Sequence, residues 1–167
     1  MSPKVLLAFL LLTGGFGAAL AQDDESEESE AAATLPYADD RSTPEALITS
    51  YYNAISRAEY ARAYSYYGGN AAPANYDRWE MGYSDTSFVE ISFGDIDEEG
   101  AAGSIYYSVP VKLDVETTDG QHRYFSGCYV VRLANPAIQG VPFEPMHIED
   151  ATLRRSTRRA GLPASCG

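Results

Sequence analysis

Between Ile105 and Val115 every second residue is apolar: Ile105, Tyr107, Val109, Val111, Leu113 and Val115. Side chains alternate across a strand with period two, so this run predicts a long β-strand with one face in a core. The same period starts at Thr86, where Val89, Ile91 and Phe93 alternate with Glu90 and Ser92. Asp97 to Gly103, acidic and glycine-containing, reads as a turn. Pro110 lies on the face opposite the apolar set. It has no ladder donor, which predicts an edge or a bulge there. Asp119-Gly120 is a strong hairpin signal. Its partner strand runs from about His122 to Leu133. A loop then extends from Asn135-Pro136 to Pro145. Met146, Ile148 and Leu153 mark a last strand over about 145–155, with a bulge near Asp150.

Upstream the period is helical. Ser42-Thr43-Pro44-Glu45 is a helix start, with Ser42 as cap, Pro44 in the first turn and Glu45 at the capping-box position. Leu47, Ile48, Tyr51, Tyr52 and Ile55 follow at helical spacing. Arg57-Ala58 breaks that face. A second short helix carries Tyr60, Ala63, Tyr64 and Tyr67 and stops at Gly68-Gly69. A third piece, about Asn75 to Tyr83, carries Tyr76, Trp79 and Tyr83.

Helices first and a long antiparallel sheet afterwards is an α+β order. It predicts N-terminal helices packed on a strongly curved, mostly antiparallel sheet. A two-residue loop at Asp119-Gly120 pairs Val111 with Cys128 and Val109 with Val130. Phe125, Tyr129 and Val131 then fall on the opposite face, so the strand is apolar on both sides. A slipped register with a bulge is the alternative.

The first residues read differently. Met1 to Lys4 ends in a positive charge, Val5 to Leu12 is apolar, and Ala19-Leu20-Ala21 offers a small-x-small cleavage pattern. This predicts a signal peptide over 1–21 and an exported protein, periplasmic or secreted. The apolar core is shorter than the roughly 20 residues a bilayer span needs, so no membrane span is expected in the mature form.

The chain has 24 acidic and 12 basic residues, a net charge of −12. Eight of the acids lie within 22–40, whereas 41–167 holds sixteen acids and eleven bases. The acidity therefore belongs mostly to a segment over 22–41 that lacks an apolar face and reads as a disordered linker. The folded domain is expected over 42–155, with a C-terminal tail over 156–167. Nucleic acid is excluded as a partner, because a polyanion needs a net basic face. Arg154, Arg155, Arg158 and Arg159 form the one basic cluster and have no interleaved aromatics.

Cys128 and Cys166 are the two cysteines. In an exported protein such a pair forms a disulfide, here tying the tail to a strand; a reactive thiol or an intermolecular link are the alternatives. No CxxC occurs.

Thr43-Pro44-Glu45-Ala46-Leu47, Tyr51-Tyr52-Asn53-Ala54-Ile55 and Glu59-Tyr60-Ala61-Arg62-Ala63-Tyr64 together resemble the nuclear transport factor 2-like superfamily. This is the cone fold shared with ketosteroid isomerases. Gly82-Tyr83-Ser84-Asp85-Thr86 and Gly127-Cys128-Tyr129-Val130-Val131-Arg132 look like the same group, in its exported bacterial members. The resemblance covers 42–154. It implies a pocket between sheet and helices and favours a Gram-negative periplasm. It leaves activity open, since one fold hosts many functions. The isomerase set of general base, oxyanion tyrosine and neutral acid finds no place on this sequence.

Few residues carry chemistry. His122 follows a turn and reads as exposed, His147 sits opposite an apolar face and reads as solvent-side or loop-facing, and no metal or other cofactor is expected. No Gly-x-Ser-x-Gly elbow or glycine-rich phosphate loop occurs. The thirteen tyrosines supply what a pocket needs. Tyr64, Trp79, Tyr83, Tyr107 and Tyr124 are the candidate lining, with Asp85 at the mouth of the first long strand. A carboxyl buried among aromatics has a raised pKa and transfers protons. Three functions follow from this. The first is non-catalytic binding of a small apolar or amphipathic ligand or a protein partner. The second is an isomerase, dehydratase or hydrolase using acid–base residues in the pocket. The third is a homodimerising module that uses the open sheet face.

Overall fold

Thr43, one residue later than expected, opens the first helix. In the computed structural model, which describes residues 35–166, α1 spans Pro44–Ser56. The Thr43 hydroxyl accepts from the Ala46 N–H at 3.1 Å, and Pro44 occupies the first turn, where its missing N–H costs nothing. Ser42 instead donates its backbone N–H to the Asp40 carboxylate at 2.8 Å, so Glu45 completes no capping box. The helix ends where Ala58 takes a positive φ of 55°. Helix α2 is Tyr60–Tyr64, and α3 is Tyr76–Met81, capped by the Asn75 side chain accepting from Arg78 N at 2.7 Å. After α2 the chain straightens, and Tyr67 bridges to Ile148 in parallel at Gly68.

Five antiparallel strands follow: β1 Thr86–Phe93, β2 Asp97–Ala101, β3 Ser104–Thr117, β4 His122–Ala134 and β5 His147–Arg155. They pair in the order β1-β3-β4-β5, with β2 extending β1's side of β3. Together with the helices this is an α+β fold. The acidic segment expected to be a turn is thus strand β2. Its hairpin to β3 closes through Ala102 and Gly103, both at positive φ, with Ala101 opposite Ser104. That is a type I′ geometry entered through alanine rather than Asn or Asp, so the usual dipeptide signal is missing.

Pro110 lies in the central strand, not at a free edge. It sits at the gap where β1 ends and β2 has not begun. Its carbonyl accepts from Gly94 N at 2.8 Å. A residue in an antiparallel ladder turns N–H and C=O to the same neighbour, so the donor that proline lacks falls in that gap.

The β3–β4 register differs by one residue from the expected one. Val111 faces Gly127, Pro110 faces Cys128 and Val109 faces Tyr129. The loop has three residues, Thr118-Asp119-Gly120, closed by Thr117 N donating to Gln121 O at 2.9 Å, with Gly120 at φ +74°. A type I turn followed by a left-handed glycine gives this loop length. One residue of slip exchanges the faces of the whole strand. Tyr129 and Val131 therefore join Val109 and Val111 in the core, fully buried, and Phe125 packs beside them. The opposite face of β3 and β4 carries Lys112, Asp114, Tyr124 and Ser126. Phe125, Tyr129 and Val131, expected on the open face, thus lie on the core side, and the open face of β4 carries Tyr124, Ser126 and Val130 instead.

The core joins α1 to the sheet through Leu47, Ile48, Tyr51 and Ile55 against Val109, Val111, Tyr129 and Ile148. Each such side chain contributes roughly 1.5–3 kcal/mol by leaving water. In β5, Val130 faces Asp150 and Val131 faces Ile148, so Glu149 is bulged out, next to the expected position. Met146, His147 and Ile148 are all buried, with the chain at Gly68 lying against the His147 ring. Of its two expected placements, solvent-side and loop-facing, His147 takes the second and is buried. Its Nδ1 lies 3.0 Å from Pro145 O and its Nε2 3.2 Å from Glu149. His122 is exposed, with Nδ1 2.6 Å from Asp114.

The expected signal peptide over 1–21 and the acidic linker as far as 34 lie outside the described residues. The linker's last part, 35–41, is held against the helices. Asn53 donates to Pro36 O at 2.8 Å and accepts from Ala38 N at 3.1 Å, while Ser50 accepts from Asp40 N at 2.8 Å. Tyr66 donates to Asp39 at 2.6 Å, and this bond is the largest cause of a carboxyl held below its usual range. The folded domain thus starts earlier than 42.

Cys128 and Cys166 form a disulfide across a separation of 38 residues. Loop closure of that size stabilises by roughly 3–4 kcal/mol when both ends are otherwise fixed. Here the tail after Arg155 holds through few contacts, such as Ser156 N to Tyr124 O at 2.8 Å and Lys112 Nζ to Arg158 O at 2.6 Å. A reduced tail frays and recovers part of that entropy. Reduction is expected to cost about 2 kcal/mol, read as a lower urea midpoint. An unchanged midpoint would refute a stabilising bridge. No helix among the described residues is long and apolar enough to cross a membrane.

Candidate functional site

One end of the core is not filled. A cavity of about 370 Å³ opens there between helices and sheet. From the helix side Tyr52 of α1, Trp79 of α3 and then Gly82 and Tyr83 line it. From the sheet side come Val89, Leu113, Val115, Phe125 and Leu153. The register explains this wall. Val89 faces Val115, Leu113 faces Phe125 and Gly127 faces Leu153, so four strands present one contiguous apolar patch. Thr86, Arg78 and Arg123 complete the lining.

The two tyrosines of the lining do not offer free hydroxyls. Tyr52 and Tyr129 share a hydrogen bond of 2.5 Å, and Tyr83 and Tyr51 share one of 2.9 Å. Tyr51 also reaches the Tyr67 hydroxyl at 3.3 Å. Burial pushes the phenols of Tyr51, Tyr52 and Tyr129 well above their ordinary value, and that of Tyr83 to about 12. All four stay neutral at physiological pH and act as the polar backing of an apolar chamber.

No protein-family model matches this chain, and no curated protein matches it.

Of the residues expected from sequence to line a pocket, Trp79 and Tyr83 do. Tyr64 stands behind Trp79, its ring centroid 5.2 Å away, with its hydroxyl donating to Pro73 O at 2.5 Å. Asp85 is one step outside the cavity and accepts from Arg123 at 2.5 Å. That bond holds its carboxyl below the usual range, the reverse of the raised value expected for a carboxyl buried among aromatics. Tyr107 faces the core but lies six positions before Leu113 on β3, about 20 Å away along the strand. Tyr124 projects from the opposite face of the sheet, near Lys112, Asp114 and Arg158.

Sequence reading missed Arg78, Arg123, Phe125 and Leu153. Phe125 was assigned to the wrong face by the one-residue register error, and Arg123 goes with it. Leu153 was recognised as apolar without a partner. Arg78 carries no local signal, because only the placement of α3 over the sheet brings it to the cavity. No group of His, Cys, Asp and Glu suited to a metal ion occurs among the described residues.

Proposed function

We propose that this chain is an exported, non-catalytic binding domain of the nuclear transport factor 2-like type, taking a small apolar or amphipathic molecule in the cavity between helices and sheet. In this reading the sheet curves around the bound molecule and the domain works in an oxidising compartment, periplasmic or extracellular, where the disulfide persists. One observation carries the choice of binding over acid–base chemistry. Among the residues that line the cavity there is no Asp, Glu or His. Asp85, the carboxyl singled out in the sequence, is engaged by Arg123 and held below its usual range. A proton-transferring site needs a carboxyl or imidazole within reach of the substrate. The volume lies at the lower end of the range typical of small-molecule sites, and the wall is apolar with a few polar groups, as such sites are.

Trp79 is the single tryptophan and lines the cavity, so its emission reports occupancy directly. Titration with a neutral apolar probe such as decanol is expected to shift Trp79 emission saturably. Leu153→Arg places a charge in the wall at a half-buried position and is expected to weaken that binding about tenfold or more while the circular dichroism spectrum is retained. Decanol binding that survives Leu153→Arg unchanged would sink the assignment of this cavity.

A further inference from the structure

The charges around the cavity point to one class of occupant. Its lining includes two arginines and no carboxylate. This runs against the balance of the domain, in which acids outnumber bases over 41–167. Arg78 stands exposed on α3 and makes no ion pair among the described residues, whose ion pairs involve other groups. Arg123 uses one terminal nitrogen on Asp85, at 2.5 Å. Its remaining guanidinium donors have no hydrogen bond among the described residues. Asp85 and Asp119 are the carboxylates that act on it. The pair with Asp85 offsets much of the Arg123 charge, so Arg78 supplies the uncompensated one.

We infer that the cavity takes an amphipathic acid, with its apolar body against Trp79, Leu113 and Phe125 and its anionic head at Arg78 and Arg123. This rests on the cavity being a ligand site and adds the chemistry of the ligand. The physical reasons are separate for the two ends. Inside, each methylene buried tightens binding by about fourfold until the chamber is full. At the mouth, a guanidinium presents a planar fork of donors matched to a carboxylate, whereas a neutral hydroxyl satisfies one donor and leaves the charge unmatched. A cationic head would be repelled.

The test compares three probes of one chain length on the purified protein, read by Trp79 emission: decanoate, decanol and decyltrimethylammonium. Decanoate is expected to bind about tenfold tighter than decanol, and the ammonium weakest. The decanoate-to-decanol ratio is expected to fall toward one in Arg78→Gln, whose exposed position lets it fold. Added salt is expected to lower the same ratio, because the head lies near the surface. Equal binding of decanoate and decanol, tightest binding by the ammonium, or a ratio that Arg78→Gln leaves intact would each overturn the assignment of an acid while leaving a ligand cavity standing. If no probe moves Trp79 emission, the binding reading itself falls.

Discussion

Tyr51→Ala is expected to lower stability by about 4 kcal/mol. This side chain joins α1 to the segment after α2 and to β4. Tyr51 is fully buried, and its ring meets those of Tyr52, Tyr66, Tyr67 and Tyr129 edge-on, with centroids 4.8 to 6.4 Å away. Such pairs add about 0.5–1.5 kcal/mol each beyond the area they bury. Its hydroxyl links those of Tyr67 and Tyr83. Truncation leaves a hole that the sheet cannot close, because Leu47 and Ile48, one turn earlier on the same face, hold α1 at its distance from the sheet. Tyr51→Phe separates the two contributions: it keeps the ring and removes the hydroxyl, and is expected to cost about 1–2 kcal/mol. Urea denaturation followed by far-ultraviolet circular dichroism measures both. A loss below about 1 kcal/mol for the alanine variant would mean that the aromatic cluster does not hold the fold together.

Gly127→Ala is expected to cost about 3 kcal/mol, at the upper end of the range for overpacking. A methyl group there would meet the Thr152 carbonyl oxygen at 1.9 Å and the Leu153 Cα at 2.9 Å. Both are backbone atoms of the neighbouring strand, so no side-chain rotation relieves the contact. β5 must move away from β4, and with it Leu153 in the cavity wall. The same variant is therefore expected to lose decanol binding as well as stability. A Gly127→Ala protein with an unchanged denaturation midpoint would show that β5 is not packed on β4 as described.

Local periodicity carried the helices and most strands in the sequence. Leu47 to Ile55 repeats at helical spacing and Ile105 to Val115 alternates, and each pattern suits one backbone geometry alone. Pro44 marked the start of α1 because its backbone constraint is local, whereas the Gly68-Gly69 step does not end α2, which already stops at Tyr64 and leaves Tyr67 in an extended bridge to Ile148. The bulge of β5 was also legible, since Met146, Ile148 and Leu153 break a strict alternation. Strand β2 was not: Asp97 to Ala101 is exposed throughout and has no apolar face to betray it. It is a strand because β3 extends past the end of β1 and offers free backbone groups.

The cavity was half visible for a related reason. Trp79 and Tyr83 could be named because large aromatics on a short helix must face something apolar. Tyr107 and Tyr124 were grouped with them on residue type. Type says nothing about distance along a strand or about which side of the sheet a residue takes.

By itself the sequence determined the order of the helices and of β1, β3, β4 and β5, the apolar faces of the helices and of β1 and β3, and the pair of cysteines available to each other. Those follow from interactions within a few residues. The tertiary structure alone decided that Thr118-Asp119-Gly120 is a three-residue loop, and hence that Tyr129 and Val131 fill the core while Arg123 and Phe125 reach the cavity. That choice is settled by burying one face of β4 under α1. The free-energy difference between the two registers lies in contacts between residues far apart in the chain, and no short stretch of sequence contains it.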